Sequence, residues 1–307
     1  MGKQELLRSP RMKILLLGKN GQVGWELQRS LGPLGELIAL DRQSEICGDI
    51  SKLEKIADTI RTLSPDVIVN AAAYTAVDKA EHETDMARTL NTDAPAALAK
   101  AALEIGAWLV HYSTDYVFDG TGTWAWKEDD TPNPLSVYGR TKLEGEEAII
   151  SLGGKHLIFR TSWVHSVRGQ NFTKTILRLA QEQEELKIID DQCGAPTGAD
   201  LIADITAHVV RVAVREPHLS GIYHLSAAGE TSWHGYAHYV ILRAKEFRPE
   251  LDLKTISITP VSTSTFSLVA KRPHNSRLDT QKLQQTFDLT LPHWKSGVDR
   301  LLSEILL

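Results

Sequence analysis

The sequence predicts an α/β fold with a doubly wound parallel sheet and a smaller second α/β lobe. Short apolar runs alternate with helical stretches over about the first half of the 307 residues, and each run is bounded by Gly, Pro, Asp or Asn. Uninterrupted apolar strands separated by helices indicate a parallel sheet covered on both faces. The later half is less regular and has no repeat or Pro/Ser-rich linker, which favours a second lobe packed against the first.

The elements follow from this pattern in chain order. Strands are predicted in the first half at residues 13–17, 37–40, 66–70, 108–112 and 156–159. Helices are predicted between them at residues 23–31, 53–63, 84–105 and 136–150. The later half carries predicted helices at residues 172–185, 201–215, 233–247 and 294–306, and predicted strands at residues 222–225 and 254–260.

Composition excludes several classes of protein. A hydrophobic content of 42% and a charged content of 24% are ordinary for a globular protein, and a net charge of −5 gives no footprint for nucleic acid or an anionic membrane. The longest apolar runs are strand-sized and too short to span a bilayer. The first eleven residues lack the apolar stretch of a secretory signal, and only Cys47 and Cys193 occur. We therefore expect a cytoplasmic location without a disulfide.

A glycine-rich loop joins the first predicted strand to the first predicted helix. It reads Gly18-Lys19-Asn20-Gly21-Gln22-Val23-Gly24, a GxxGxxG spacing. Glycines allow a sharp turn and a close approach to a pyrophosphate, and the helix N-terminus offers free N–H groups. Since a strand precedes the loop and a helix follows it, the context favours a Rossmann-type dinucleotide site over a plain turn.

The end of the second predicted strand bears on the choice of cofactor. Asp41 lies seventeen residues after Gly24, near the spacing at which an acid binds the adenosine ribose hydroxyls. Arg42 follows at once, and a guanidinium suits a 2′-phosphate instead. The sequence leaves NADH and NADPH open, and a solvated turn at Asp41 stays an alternative. Asp49 and Ile50 are candidates to line the adenine.

Tyr138 and Lys142 form a YxxxK sequence near the start of a predicted helix. Positions i and i+4 share one helix face, so the phenol and the amine point into the same space. A nearby cation favours the phenolate, so we expect Lys142 to draw the pKa of Tyr138 toward neutrality. A phenol tuned in this way can donate a proton to a ketone oxygen. Ser113 and Thr114, after the fourth predicted strand, are candidates to hydrogen-bond the same oxygen.

Seven stretches together resemble one family closely, the dTDP-4-dehydrorhamnose reductases, which are extended short-chain dehydrogenases acting on nucleotide sugars. They lie at residues 18–27, 69–78, 111–118, 138–142, 160–164, 191–198 and 272–278. The last three fall outside generic dehydrogenase signatures. The resemblance covers nearly the whole chain from Met12.

The resemblance implies reduction of the 4-keto group of dTDP-4-dehydro-β-L-rhamnose to dTDP-β-L-rhamnose by NADPH or NADH. This is the last step of dTDP-rhamnose synthesis for cell-surface polysaccharide, such as lipopolysaccharide O-antigen. By position, Tyr138 is the proton donor, Lys142 binds the nicotinamide ribose, and Thr114 tunes the tyrosine. The implied substrate contacts are Thr114, Asp115 and Trp163. The residues implied to line the cofactor, besides Tyr138 and Lys142, are Asn20, Gly21, Gln22, Asp41, Asp49, Ile50, Ala73, Tyr74, Thr75 and Tyr112.

The resemblance also implies a metal site. Some members of the family dimerise through a magnesium ion held by acidic side chains, and Glu26 and Asp200 fall at matching positions, with Glu304 as a third. Asp200 is shorter than the glutamate expected there. A homodimer that shares Mg²⁺ is therefore an expectation to test.

The domain organisation follows from these assignments. We predict a dinucleotide-binding domain over residues 12–180, which includes the catalytic helix. Residues 181–307 are predicted to form mainly a substrate-binding lobe, with the chain crossing between the lobes.

Two other functions share parts of this pattern. A non-catalytic regulatory subunit of a methionine adenosyltransferase has this fold and much of the glycine loop, but the complete set of Thr114, Tyr138, Lys142 and Trp163 favours an enzyme. A related nucleotide-sugar epimerase or dehydratase is the second alternative. A dehydratase needs an acid and a base beside the tyrosine, and here the Thr114-Asp115 pair offers one carboxylate.

Overall fold

The computed structural model of this chain describes residues 11–307. Residues 1–10 lie outside the described residues. They make up most of the N-terminal segment for which the sequence predicts no secretory signal. None of the helices in residues 11–307 has the length and apolar character needed to cross a membrane.

Six parallel strands form the central sheet, in the order β2, β1, β3, β4, β5, β10. Their bounds are β1 (Met12–Leu17), β2 (Gly35–Leu40), β3 (Val67–Asn70), β4 (Trp108–Thr114), β5 (His156–Thr161) and β10 (Gly221–His224). β2 lies on one side of β1 and β3 lies on its other side, so the strand order reverses at β1. The carboxyl ends of strands at such a reversal form the crevice in which open α/β sheets bind ligands.

Alternate residues of the strands pack against helices on opposite faces of the sheet. Leu16 of β1 packs with α1 (Gln22–Leu31) and α8 (Ala199–Ala213), whereas Leu17 packs with α2 (Leu53–Leu63) and the helices that follow it. This alternation is the period of two that a strand imposes on its side chains. The predicted doubly wound parallel sheet is confirmed.

The remaining helices connect these strands or belong to the second lobe. Their bounds are α3 (Val77–Ala80), α4 (Thr84–Arg88), α5 (Ala94–Ile105), α6 (Val137–Ser151), α7 (Phe172–Glu182), α9 (Trp233–Phe247), α10 (Gln281–Phe287) and α11 (Trp294–Leu306). The predicted helix over residues 84–105 is interrupted by a π turn over Thr89–Asp93. Within that turn, Asn91 is fully buried and its side chain bonds the backbone of Tyr74 through both its oxygen and its nitrogen.

A smaller lobe has a core of its own. Tyr236 and Val240 of α9 pack with Trp294 and Val298 of α11 and with residues of α7. The short strands of the later half form three pairs: β7 (Glu185–Ile189) with β12 (Ser257–Val261), β8 (Cys193–Gly194) with β11 (Thr231–Ser232), and β6 (Val164–His165) with β9 (Thr197–Gly198). β10 lies in the central sheet and α8 packs against that sheet, although both come late in the chain.

Candidate active site

The glycine loop forms the predicted strand–loop–helix cradle at the carboxyl end of β1. Gly18 has a φ of +83°, and a side chain there would bring its Cβ to 2.8 Å from the backbone nitrogen of Ala72. A Cβ at Gly24 would overlap the carbonyl oxygen of Gly18. The N-terminus of α1, at Gly21, has no side-chain cap. No side chain of the cap residue therefore occupies the first N–H groups of the helix, as a phosphate-binding helix end requires.

Asp41 lies beside this loop, but its carboxylate is engaged. It accepts hydrogen bonds from the backbone N–H of Gln43 at 2.9 Å and from the Ser44 hydroxyl at 3.0 Å, and the amide of Asn20 also donates to it. The bonds from Gln43 and Ser44, with the charge of Lys19, lower the pKa of Asp41 despite partial desolvation. Arg42 is exposed. The carboxylate is thus ionised next to a freely accessible guanidinium.

The other predicted adenine contacts have structural roles as well. Asp49 accepts hydrogen bonds from the backbone N–H and the hydroxyl of Ser51, at 3.1 and 2.7 Å, just before α2 begins. Ile50 is buried in the core between the sheet and its helices. Ala73, Tyr74 and Thr75 follow β3 at the carboxyl edge of the sheet. A role in lining a cofactor stays a prediction for all of them.

Tyr138 occupies the first turn of α6, where the chain comes close to the end of β4. The hydroxyl of Ser136 accepts a hydrogen bond from the backbone N–H of Gly139 and so caps the helix. A Cβ at Gly139 would overlap the carbonyl oxygen of Tyr116. The first turn of α6 can therefore lie this close to the segment after β4 only because residue 139 is glycine. The rings of Tyr116 and Tyr138 pack edge to face, with centroids 5.5 Å apart.

Burial raises the pKa of Tyr138 to about 12, although a hydrogen bond with Thr114 opposes this shift. The expectation that Lys142 draws this pKa toward neutrality is wrong. Lys142 donates from Nζ to the carbonyl oxygen of Tyr112 at 2.6 Å, and its other contact is with His111 at 3.1 Å. A raised pKa keeps the phenol protonated at neutral pH, which is the form that a proton donor needs.

Tyr112 contributes its carbonyl to the contact with Lys142, while its side chain packs toward α8, and its role in lining the cofactor stays a prediction. Its hydroxyl pairs with Thr206 on α8 at 2.8 Å, and burial raises its pKa. Lys142, which is 2% exposed, is therefore held by the backbone of β4. Burial lowers the pKa of Lys142 to about 8, against the charge of Glu146 one helical turn further on.

The polar side chains of Ser113, Thr114 and Asp115 lie together where β4 ends. The Thr114 hydroxyl donates to Asp115 at 3.1 Å and accepts from the backbone N–H of Tyr116 at 3.2 Å. Burial raises the pKa of Asp115 to about 6, opposed by hydrogen bonds with Ser276 and Thr114. Among the described residues, the Ser113 hydroxyl and Oδ2 of Asp115 are buried without a hydrogen-bond partner. Unpaired buried polar atoms are uncommon, and they suit a site that awaits a polar ligand.

Trp163 lies just after β5, in a backbone conformation that is rare for a residue other than glycine. Its φ is +48°, and its indole stacks on Trp233 of α9. Gly194 lies against the same ring, since a Cβ there would come within 2.8 Å of Cε2. Trp163 is partly exposed and packs at the edge of the second lobe's core. It thus stands between the two lobes, and its substrate contact stays a prediction.

Glu26, Asp200 and Glu304 line one pocket, as the matching positions led us to expect. Arg300 lies among them and bonds Asp200 at 2.9 Å and Glu304 at 2.9 Å. Carboxylates are ligands that Mg²⁺ prefers. Within residues 11–307, however, no group of three or more acidic, His or Cys side chains is placed to hold a metal ion. The acids of one chain therefore form an ion-pair cluster and do not by themselves fit the implied metal.

The structure adds residues that the sequence patterns did not single out. Arg168 donates to the backbone oxygen of Asn20 at 2.8 Å and lies over the Trp25 ring at 4.2 Å, so it holds the glycine loop from the far side. Arg272 pairs with Asp78 of α3 at 2.6 Å and so joins a late segment of the chain to that helix. Neither has a local spacing signal, although Arg272 lies within a stretch on which the resemblance rests.

Comparison with known proteins agrees with this arrangement. Residues 12–307 match the family described as the RmlD substrate binding domain. The dTDP-4-dehydrorhamnose reductase of Salmonella typhimurium (strain LT2) is 57% identical over 295 residues, which cover 96% of this chain and 98% of that protein. The Escherichia coli K12 protein of the same name is 55% identical, with the same coverage.

Solved structures agree as well. The crystal structure of dTDP-4-dehydrorhamnose reductase from Bacillus anthracis in complex with NADP superposes with a TM-score of 0.85 at 32% identity, over 95% of this chain and 99% of that one. Family, sequence relatives and fold therefore point the same way. This chain belongs to the dTDP-4-dehydrorhamnose reductase family.

Proposed function

We propose that this chain is an oxidoreductase that reduces the 4-keto group of dTDP-4-dehydro-β-L-rhamnose to give dTDP-β-L-rhamnose. The observation that carries the proposal is that Thr114, Tyr138 and Lys142 lie together at the carboxyl end of β4. In the sheet, β3 separates β4 from β1, the strand that the glycine loop follows. The named activity of relatives at 55–57% identity supports the same substrate.

A nicotinamide cofactor supplies the hydride, and the protein supplies binding and the proton. Gly18–Gly24 and the uncapped start of α1 would hold the pyrophosphate. Asp41 and Arg42 would meet the adenosine ribose and select between NADH and NADPH. Both cofactors stay open, although a solved relative holds NADP.

The proton step uses Tyr138. As hydride adds to C4 of the sugar, the C4–O4 double bond opens and the developing oxyanion takes the proton from the phenol. The O–H bond of Tyr138 breaks and an O–H bond forms on the product, which leaves a tyrosinate. Thr114 lies close enough to the Tyr138 hydroxyl to oppose the rise of its pKa, so it would help to hold O4 in line.

Asp115 and Trp163 are proposed to hold the sugar nucleotide. The unpaired Oδ2 of Asp115 suits a sugar hydroxyl, and the partly exposed indole of Trp163 offers a flat apolar face and an N–H donor. Within residues 11–307 the Thr114 hydroxyl bonds one carboxylate, that of Asp115, whereas a dehydratase needs both an acid and a base beside the tyrosine. The intact Tyr138 and Lys142 pair also argues against a purely regulatory subunit.

The division of labour between the lobes belongs to this proposal. Residues 12–180 would bind the cofactor and carry the catalytic helix, and residues 181–307 would mainly bind substrate. A role in making lipopolysaccharide O-antigen, a cytoplasmic location and a homodimer bridged by Mg²⁺ stay predictions. The metal would need a second copy of the chain, because Arg300 already pairs with two of the three acids.

The test is a direct assay of the full chain. Loss of nicotinamide absorbance is followed with dTDP-4-dehydrorhamnose and with NADH or NADPH in parallel, and the sugar product is identified by mass and NMR. We expect one cofactor oxidised for each dTDP-β-L-rhamnose formed. An altered sugar nucleotide formed without cofactor oxidation would indicate an epimerase or dehydratase. An unchanged sugar nucleotide with either cofactor would favour a regulatory role.

A further inference from the structure

His111 is fully buried on β4, between the end of β3 and helix α6. Its Nδ1 lies 3.1 Å from the side-chain nitrogen of Asn70, its direct neighbour in the parallel ladder. Its Nε2 lies 3.1 Å from Nζ of Lys142. Burial, with the nearby charge of Lys142, holds the pKa of His111 well below its usual range, so the ring is neutral and carries one proton. Both ring nitrogens thus face nitrogen atoms.

The position of that proton follows from Asn70. The side-chain oxygen of Asn70 accepts a hydrogen bond from the backbone N–H of Ala72 at 3.2 Å. Because a backbone N–H can only donate, this bond fixes the amide with its NH₂ group toward His111. An NH₂ group cannot accept, so Nδ1 of His111 must be the acceptor. The proton of the neutral ring is therefore on Nε2, the nitrogen that faces Lys142.

This tautomer discriminates between the two forms of Lys142. An ammonium group has donors only, so against Nε2–H it would place one N–H opposite another. A neutral amine has a lone pair that can accept from Nε2–H while its own N–H donates to the carbonyl of Tyr112. In a buried site an unmatched donor is unfavourable, because it has lost its water partner and gained none in the protein. The network is therefore complete when Lys142 is an amine.

We propose that His111 is a positioning residue of the reduction, which favours the neutral amine of Lys142 by donating a hydrogen bond from Nε2. The inference rests on the proposed roles of Tyr138 and Lys142. After Tyr138 has given its proton to O4, the tyrosinate has to regain a proton, and we assign its source to the Lys142 ammonium, whose side chain must turn from the Tyr112 carbonyl toward Tyr138 to deliver it. An N–H bond breaks, the phenol O–H bond re-forms, and the amine that remains is the form to which His111 donates.

Other groups that face Lys142 also affect its pKa. Glu146, one turn further along α6, favours the ammonium, but it is also bonded by Arg160 of β5 at 2.7 Å. From β4, His111 and the Tyr112 carbonyl face the amine, and Tyr138 lies one turn earlier on α6. Burial lowers the pKa of Lys142 to about 8, which puts its proton exchange near neutral pH and agrees with the assignment.

The test is the pH profile of kcat for the full chain with cofactor and the 4-ketosugar. Above the pKa of Lys142 the proton cannot be returned, so we expect an alkaline limb in the wild type. His111→Gln can turn its side-chain oxygen toward the ammonium and should move this limb upward by about one pH unit, with cofactor Kd within about threefold. His165→Gln, at another buried histidine away from Lys142, should leave the limb in place.

Asn70→Asp serves if His111→Gln does not fold. Its carboxylate accepts from Nδ1–H, so Nε2 becomes an acceptor for the ammonium and the limb should again move upward. A limb that stays within about 0.3 pH unit in the folded variant overturns the role of His111.

Lys142→Arg separates this inference from the proposed function, because a guanidinium does not titrate in this range. If its residual activity keeps the wild-type limb, the assigned role of Lys142 is wrong, and the inference fails with it. If the limb disappears in Lys142→Arg but does not move in His111→Gln, only the role of His111 is wrong.

Discussion

The indole rings of Trp163 and Trp233 are stacked, with centroids 3.6 Å apart and 13° between their planes. Trp163 follows β5 of the main sheet and Trp233 begins α9 of the second lobe, so this pair joins the two lobes beside the crevice. The contact gives Trp163 a packing role as well as the proposed substrate role. The two roles can be separated because they affect different measurements.

Trp163→Ala should raise the substrate KM or lower kcat by roughly tenfold, since an apolar face and an N–H donor for the sugar nucleotide are lost. Cofactor affinity should stay within about threefold. Trp294→Ala is the matched control, because Trp294 is buried in the second lobe's core and should cost about 3–5 kcal/mol of stability. We expect a smaller stability loss at the partly exposed Trp163. A large fall in melting temperature with unaltered kinetics would contradict the substrate contact.

Asp41 and Arg42 should set the cofactor preference in opposite directions. Asp41→Ala should weaken NADH more than NADPH, because a partner of the ribose hydroxyls is lost and a charge that repels a 2′-phosphate is removed. Arg42→Ala should weaken NADPH more, by about tenfold for one lost phosphate contact. The measurement is kcat/KM for both cofactors with each variant. An unchanged preference in both would show that this strand end does not meet the adenosine ribose.

Asp115 should make stability depend on pH. Its pKa is raised in the fold from 3.8 to about 6, so its contribution is complete below pH 3.8 and is lost as the pH rises through 6. About two units correspond to roughly 3 kcal/mol at most. Asp115→Asn should therefore unfold at higher denaturant than the wild type at pH 8, with little difference at pH 4, and should lose activity. Equal effects on stability at both pH values would argue against a buried charged carboxylate.

The acidic cluster gives a separate prediction for assembly. If two copies share Mg²⁺ through Glu26, Asp200 and Glu304, sedimentation velocity should detect more dimer with MgCl₂ than with EDTA. Glu26→Gln should weaken this response, and the exposed Glu45→Gln should not. The same mass in MgCl₂ and EDTA would leave the cluster as the ion-pair network seen in one chain.

The sequence was sufficient for the features that depend on local spacing. Gly18, Gly21 and Gly24 predicted the strand–loop–helix cradle, and the four-residue spacing of Tyr138 and Lys142 predicted a shared helix face. Apolar runs predicted the six strands of the central sheet to within a few residues, because burial on both faces leaves an uninterrupted signal. Short paired strands of the second lobe such as β7 and β8 carry no such run and were not predicted.

Features that depend on long-range contacts could not be read in this way. The direction of the Lys142 amine, toward β4 rather than toward Tyr138, depends on His111 and on a backbone carbonyl. The π turn at Asn91 depends on its bonds to Tyr74, which no periodicity in the helix reveals. Ser276 comes close to Asp115 from a distant part of the chain and affects its pKa, and only the resemblance drew attention to residues 272–278.

Replacement of one hydroxyl tests the central claim most directly. Tyr138→Phe keeps the ring and its contact with Tyr116 but removes the acidic proton. Single-turnover oxidation of the cofactor by dTDP-4-dehydrorhamnose should slow by about 10²–10⁴-fold, with cofactor Kd unchanged. Tyr236→Phe, which removes a hydroxyl from the second lobe's core, should stay near wild-type turnover. Turnover of Tyr138→Phe within a few-fold of the wild type would contradict the assignment of Tyr138 as proton donor.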